Sequence, residues 1–142
     1  MIVWISRALA LAIHDRQLAE HGGGSGVRDE TLLESALARP QQRYAHGDPP
    51  PDLADLAASL ACGLARNHPF VDGNKRTAAV ACEVFLMLND TTLEADDIEL
   101  YLHYIGLAEG SLDEAAFAVW LRPRITIKPG GQIQEPRAPY KA

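Results

Sequence analysis

The chain is poor in cysteine, lysine and aromatic residues: its 142 residues hold two Cys, three Lys and nine Phe, Trp or Tyr. Cys62 and Cys82 lie inside apolar helical patterns and are too few to staple a domain of this size. Buried thiols in a reducing cytoplasm are therefore expected. No paired Cys/His spacing points to zinc, and His21, His46 and His103 are too scattered in sequence to suggest a metal site. No stretch of eighteen uncharged apolar residues occurs, so no membrane span is expected. Met1 to Arg7 has no charged leader ahead of an apolar run and does not read as a signal peptide.

Positive charge is also scarce. Thirteen Lys and Arg face nineteen Asp and Glu, for a net charge of −6, which argues against a nucleic-acid coat built on many phosphate contacts. The deficit is local. From Thr77 to Leu121 there are nine acids and no Lys or Arg, which leaves the rest of the chain at +3. That stretch reads as a solvated acidic surface, or as a face that a basic segment could use. Lys128 and Lys141 lie near the C-terminus, so Lys75 stands alone in the body of the chain.

What remains is ordinary for a globular core: 47% hydrophobic and 23% charged residues. One domain over residues 1–123 is expected, with an unassigned tail at 124–142 that reads as a mobile end. Apolar spacing predicts a first helix from Val3 to Glu20, closed by the Gly22-Gly23-Gly24-Ser25-Gly26 loop. A second helix is expected from Asp29 to Ala38, stopped by Pro40, with a loop or short hairpin from Pro40 to Pro51. Asp52, with Asp55, caps a third helix that breaks at His68-Pro69. A fourth, from Asn74 to Leu88, is apolar nearly all round and reads as the central buried helix. Asp96 with Glu99 and Ser111 with Glu114 read as capping boxes opening a fifth and a sixth helix, ended near Gly110 and at Pro123. Ile125-Thr126-Ile127 could make a short strand. The expected fold is an all-α bundle with at most one small hairpin.

Chemistry concentrates in His68-Pro-Phe-Val-Asp-Gly-Asn-Lys-Arg-Thr-Ala78. A chain break, a glycine and a helix N-terminus present free N–H groups at the positive end of a helix dipole, which suits phosphates. Lys75 and Arg76 fall in the first turn, where the dipole disfavours cations unless an anion binds. Asn74 is a cap or a further donor, and Asp72 can hold Mg²⁺ against phosphate oxygens. His68 is the only imidazole nearby, and imidazole is the usual general base at physiological pH. Phe70, apolar in a polar turn, reads as an anchor to the core. Taken singly, these residues have plain readings: a helix end, a turn, a cap, a solvated pair of cations. Together they point to phosphoryl or nucleotidyl transfer.

This segment resembles the signature of the Fic/Doc family, in its Doc ("death on curing") branch. The resemblance extends over about residues 8 to 121, through Leu11-Ala12-Ile13-His14-Asp15, Gly26-Val27-Arg28-Asp29, Leu33-Glu34-Ser35-Ala36-Leu37 and Phe85-Leu86-Met87-Leu88-Asn89. It implies a small helical bundle and a toxin, paired with an antitoxin, that modifies a hydroxyl of a target protein with a nucleoside triphosphate. Two departures from the AMP-transferring members bear on the reaction. Lys75 stands where those enzymes carry a glycine that keeps the anion pocket open, and Ala79 where they carry a second phosphate-gripping arginine. The Doc-type reading places the γ-phosphate of ATP beside His68, making a kinase for a Ser or Thr hydroxyl. In Doc toxins the target is elongation factor Tu, whose phosphorylation stops translation.

On that reading His68 takes the hydroxyl proton and Asp72 binds Mg²⁺. Gly73, Asn74 and Lys75 surround the phosphates, while Arg76 joins them and neutralises charge developing in transfer. Arg66 is a further candidate for orienting nucleotide or target, or for capping a helix end. His14-Asp15 reads as a surface pair. The Pro40–Pro51 segment occupies the place of the family's target-positioning flap. The family's self-silencing Ser/Thr-x-x-x-Glu-Gly/Asn helix has no counterpart in the sequence, so inhibition is expected from a separate antitoxin, encoded beside it and binding as a helix in an apolar groove. The competing readings are AMP transfer and a catalytically silent module that only engages a partner.

Overall fold

The computed structural model describes residues 1–128; the tail expected to be mobile lies, from residue 129 on, outside the described residues. Among the described residues there are six α-helices: α1 (Arg7–His21), α2 (Glu30–His46), α3 (Leu53–Asn67), α4 (Asn74–Leu88), α5 (Asp97–Glu109) and α6 (Glu114–Leu121). The fold is all-α. A two-stranded antiparallel sheet joins β1 (Thr91–Leu93) to β2 (Ile125–Ile127), with Thr92 opposite Thr126. This small sheet therefore links the exit of α4 to the chain that follows α6, rather than forming a flap. No helix among the described residues is long and apolar enough to cross a membrane.

Helix boundaries follow local chemistry where caps are short-range. Asp52 accepts from the Asp55 N–H while the Asp55 carboxylate accepts from the Asp52 N–H, a complete capping box at the start of α3. The α4 boundaries match the sequence expectation. Five other expectations need correction. The first helix starts at Arg7, because Ser6 caps the Leu9 N–H and the preceding residues run extended. There Val3 exchanges two hydrogen bonds with the Asn89 side chain at the end of α4. The cap of α6 is Asp113 rather than Ser111, and α5 is opened by Asp96 alone, without a reciprocal bond from Glu99.

The largest correction concerns Pro40. It lies inside α2, buried, and the helix continues to His46. Proline removes one ladder bond, but tertiary contacts hold the next turn in place. Arg39 and Arg43 both pair with Glu114 at the start of α6, and Arg43 also donates to the Asp55 carbonyl. Tyr44 packs edge-on against Trp4. The expected flap is thus helix up to His46, and only the short turn that follows is a loop.

The fifth concerns the central helix, which exists but is α3. From Leu53 to Ala65 α3 is buried all round, and it packs against α2, α4, α5 and α6. Gly63 lets α2 approach closely, since a Cβ there would lie 3.2 Å from the Ala36 Cα. Helix α4 is buried on one face only, through Thr77, Ala78, Ala81, Cys82, Phe85 and Leu86. Burial pushes the Cys82 thiol up to about 12, so it is an inert core residue.

Arg122 fastens the end of α6 to the start of α3 by pairing with Asp52 and Asp55. Partial burial raises the Asp52 carboxyl, but hydrogen bonds from Arg122 and Asp55 outweigh it and leave the group below its ordinary value. A lowered carboxylate stabilises the fold above its unfolded pKa and ceases to as pH falls through the lowered folded value. Asp52→Ala should lower the unfolding free energy by about 1–2 kcal/mol, the cost of an N-cap. Urea unfolding should show a lower midpoint at unchanged slope, with the gap between wild type and variant closing in strong acid.

Candidate active site

The segment between α3 and α4 is held by three sets of bonds. First, Phe70 is fully buried, and the His14 ring stacks on it at 3.9 Å and 9°. His14 Nε2 also donates to the Asp72 carbonyl at 2.8 Å. His14 is 1% exposed, so the expected surface pair is wrong: His14 belongs to the core beneath the loop, and only Asp15 faces solvent. Second, the Asn74 side chain grips the Phe70 backbone at both ends. Its Oδ1 accepts from the Phe70 N–H at 2.9 Å and its Nδ2 donates to the Phe70 carbonyl at 3.0 Å. Third, residues 26–29 run antiparallel to residues 69–71. Arg28 and Asp29 donate to the Pro69 carbonyl, and Val71 donates to that of Gly26.

These bonds leave the functional side chains pointing outward. His68 ends α3 in the left-handed conformation at φ 50°. The Arg28 side chain meets the carbonyls at this helix end, donating to His68 O at 2.7 Å and Asn67 O at 2.9 Å. Sequence reasoning quoted Arg28 only as part of a resemblance. Its role follows from the unpaired carbonyls of a helix end, which a nearby arginine can satisfy.

Gly73, at φ 76°, is the N-cap of α4 and has no side chain with which to cap it. The helix therefore opens with free N–H groups. Asn74, read as a possible cap, is instead the first helical residue, and its amide is spent on the loop. Arg76 donates to the Gly22 carbonyl at 3.1 Å, while its Nε is buried without a partner. Lys75 is exposed. Asp72 is exposed too, its Oδ1 accepting from the Gly73 N–H and its Oδ2 from the Gly24 N–H. Those two backbone donors, Gly73 first, hold its carboxyl below the ordinary range and keep it ionised at neutral pH.

The glycine loop after α1 fits against this arrangement. A Cβ on Gly23 would lie 2.7 Å from Asp72 Oδ2, and one on Gly24 2.9 Å from Val71 Cγ1. The loop holds the Asp72 carboxylate by approaching closer than any other residue type could.

His68, Asp72, Gly73, Asn74, Lys75 and Arg76 line one concavity of about 320 Å³, with Val71. All six sequence candidates therefore meet. Arg66 does not; it lies near Gly110 at the end of α5. A larger hollow of about 450 Å³ carries Arg39, Arg43, Asp55, Asp113, Glu114 and Arg122, but its arginines are already paired with Glu114 and Asp55. Among the described residues no three His, Cys, Asp or Glu side chains converge as a metal cage. A lone Asp72 carboxylate beside an uncapped helix start instead suits Mg²⁺ held jointly with phosphate oxygens.

A model of the Fic/DOC family matches residues 4–86, more than half of the chain and the whole of this site. The chain belongs to the Fic/DOC family. Toxin Doc of Mycolicibacterium smegmatis is 52% identical over 75 residues, 53% of this chain and 58% of that protein's length. Protein kinase doc of Escherichia phage P1 is 33% identical over 118 residues, covering 83% of this chain and 92% of that protein.

In this Fic/DOC member the His14 brace should be needed for loop order. Replacing His14 by Ala should cost about 3 kcal/mol, from the cavity left beneath Phe70 and the lost hydrogen bond. Hydrogen exchange should then quicken at the Arg28 and Val71 amides, which pair across the loop. Unchanged protection at both amides would contradict the assigned role.

Proposed function

We propose that the protein is a Doc-like toxin that transfers the γ-phosphate of ATP to a Ser or Thr hydroxyl of a target protein. One observation carries the reading: the uncapped start of α4, with Lys75 beside it and the Arg76 Nε buried without an acceptor. Two cations at the positive end of a helix are unfavourable alone and become favourable around a polyphosphate. The names of the two relatives, one a toxin and one a protein kinase, support the same reading.

Each side chain then has a task that its position allows. His68, on the rim of the concavity, accepts the proton of the target hydroxyl at its imidazole. The N–H groups of the first turn of α4, with Gly73, Asn74 and Lys75, surround the phosphates. Arg76 leaves or shares the Gly22 carbonyl to meet negative charge as it develops in transfer. Asp72 would hold Mg²⁺, which would offset negative charge on the phosphates. Lys75 fills the position of the small residue of AMP-transferring relatives, and Ala79 offers no second cationic grip; both favour phosphate over nucleotide transfer. Elongation factor Tu is the proposed target and translation block the consequence. A separate antitoxin would restrain the enzyme, and the cytoplasm is the setting in which ATP and such a target meet.

Purified protein, a cell lysate and ATP labelled at the α or the γ position separate the possibilities on a gel. The γ label should enter a target protein in a Mg²⁺-dependent way, and His68→Ala should lower incorporation by at least about a hundredfold, the lower range for loss of a general base. Undiminished incorporation by His68→Ala would sink the mechanism. Entry of the α label would instead establish AMP transfer, and entry of neither a module that only binds.

A further inference from the structure

Helix α5 presents two apolar faces, and the fold uses one. Tyr104, Gly106 and Leu107 are buried against the bundle. On the opposite side Ile98, Tyr101 and Leu102 are 67%, 62% and 58% exposed, with half-buried Ile105 continuing the line. Positions 98, 101, 102 and 105 fall on one stripe at three- and four-residue steps. Among the described residues no other helix exposes three large hydrophobic side chains on one face.

The charges that border the stripe on its own helix are all acids, and the base that the fold brings near is Arg66 of α3, beside Gly110 at the C-terminal end. At roughly 100° per residue, Asp97 and Glu99 lie to either side of it, roughly 90–110° from its centre, and Glu109 lies in line at its end. All three are exposed. Helix α5 carries no Lys or Arg, and the base-free stretch containing it runs from Thr77 to Leu121. Glu83 on neighbouring α4 faces Asp97, and burial followed by that charge raises the Glu83 carboxyl. The acidic stretch is therefore more than a solvated surface: it frames an apolar line that no other described residue covers.

We propose that this outer face of α5 docks a basic amphipathic helix of a partner protein. The Ile98, Tyr101, Leu102 and Ile105 side chains would take the partner's apolar stripe, as in helix-in-groove recognition. Asp97, Glu99 and Glu109 would meet Lys or Arg on the partner's flanks and speed encounter. Charge argues against a second copy of this chain, because an isologous pairing would set acids against acids with no base from α5 to offset them. The inference is independent of the reaction at His68.

The test uses the full chain and two synthetic helical peptides with the same leucine face, one flanked by Lys and Arg and the other by Glu, followed by fluorescence anisotropy. The basic peptide should bind saturably and weaken as salt rises. The acidic peptide should bind at least about tenfold more weakly, as should the basic peptide to an Ile98→Ser/Leu102→Ser variant. Both substituted residues are exposed, so the variant's melting curve should match wild type. An Asp97→Asn/Glu99→Gln variant, which keeps the apolar line, should lose the preference between the peptides. No saturable binding, equal binding of both peptides, or full binding by the serine variant would overturn the proposal. So would a concentration-dependent dimer of the chain alone that the serine variant abolishes, which would assign the face to a second copy.

Discussion

Burial of Phe70 under the His14 ring is the contact on which the site depends. The chain must leave α3 and re-enter a helix within six residues, and it does so with His68 in a left-handed conformation that a residue with a Cβ adopts at a cost of roughly 1–2 kcal/mol. Burying a phenylalanine side chain contributes roughly 2–3 kcal/mol, enough to offset that strain. With Phe70 inward, Val71 and Asp72 are left exposed in the bend that follows, and the Asn74 clamp sets where α4 begins. The free N–H groups of α4 face solvent because the loop before them is anchored from below.

The site is built against local stability. A helix that opens on glycine with Lys and Arg in its first turn forgoes a cap and opposes its own dipole, each effect being worth about 0.5–1 kcal/mol. Elsewhere the same chain caps helices with Ser6, Asp29, Asp52, Asp96 and Asp113, and places acids in the first turns of α2, α3, α5 and α6. The contrast supports the site proposed at α4. The stability forgone there is supplied by α3, buried along nearly its whole length, and by the ion pairs of Arg39, Arg43 and Arg122 that tie α2, α3 and α6 together.

Features set by neighbouring residues were legible in the sequence. The bounds of α4, the Asp52 capping box, the strand at Ile125–Ile127, Phe70 as anchor and the convergence of His68 to Arg76 all follow from short-range pattern. Features set across the fold were not. Pro40 ends a helix by local rules, yet Glu114, some seventy residues on, holds Arg39 and Arg43 and carries α2 past it. His14 next to Asp15 looks like surface until the motif loop lands on it. Small residues such as Ala57, Ala58, Ala61, Gly63 and Ala65 let α3 sit at the centre, a role that the nearly all-round apolar run from Ala78 to Leu86 suggested for α4 instead. The glycines at 22–24 read as flexible, whereas Gly23 and Gly24 serve close approach to Asp72 and Val71.

The central claim is that the uncapped first turn of α4, with Lys75 and Arg76, is a polyphosphate site. It is tested most directly by following backbone amide resonances of the full chain during titration with Mg²⁺ and ATP. The amides of Asn74, Lys75 and Arg76 should shift downfield and saturate together, with slowed exchange at Gly22 to Gly24 as Asp72 and Arg76 are engaged. Saturable shifts elsewhere in the molecule with those three amides unmoved would contradict the account.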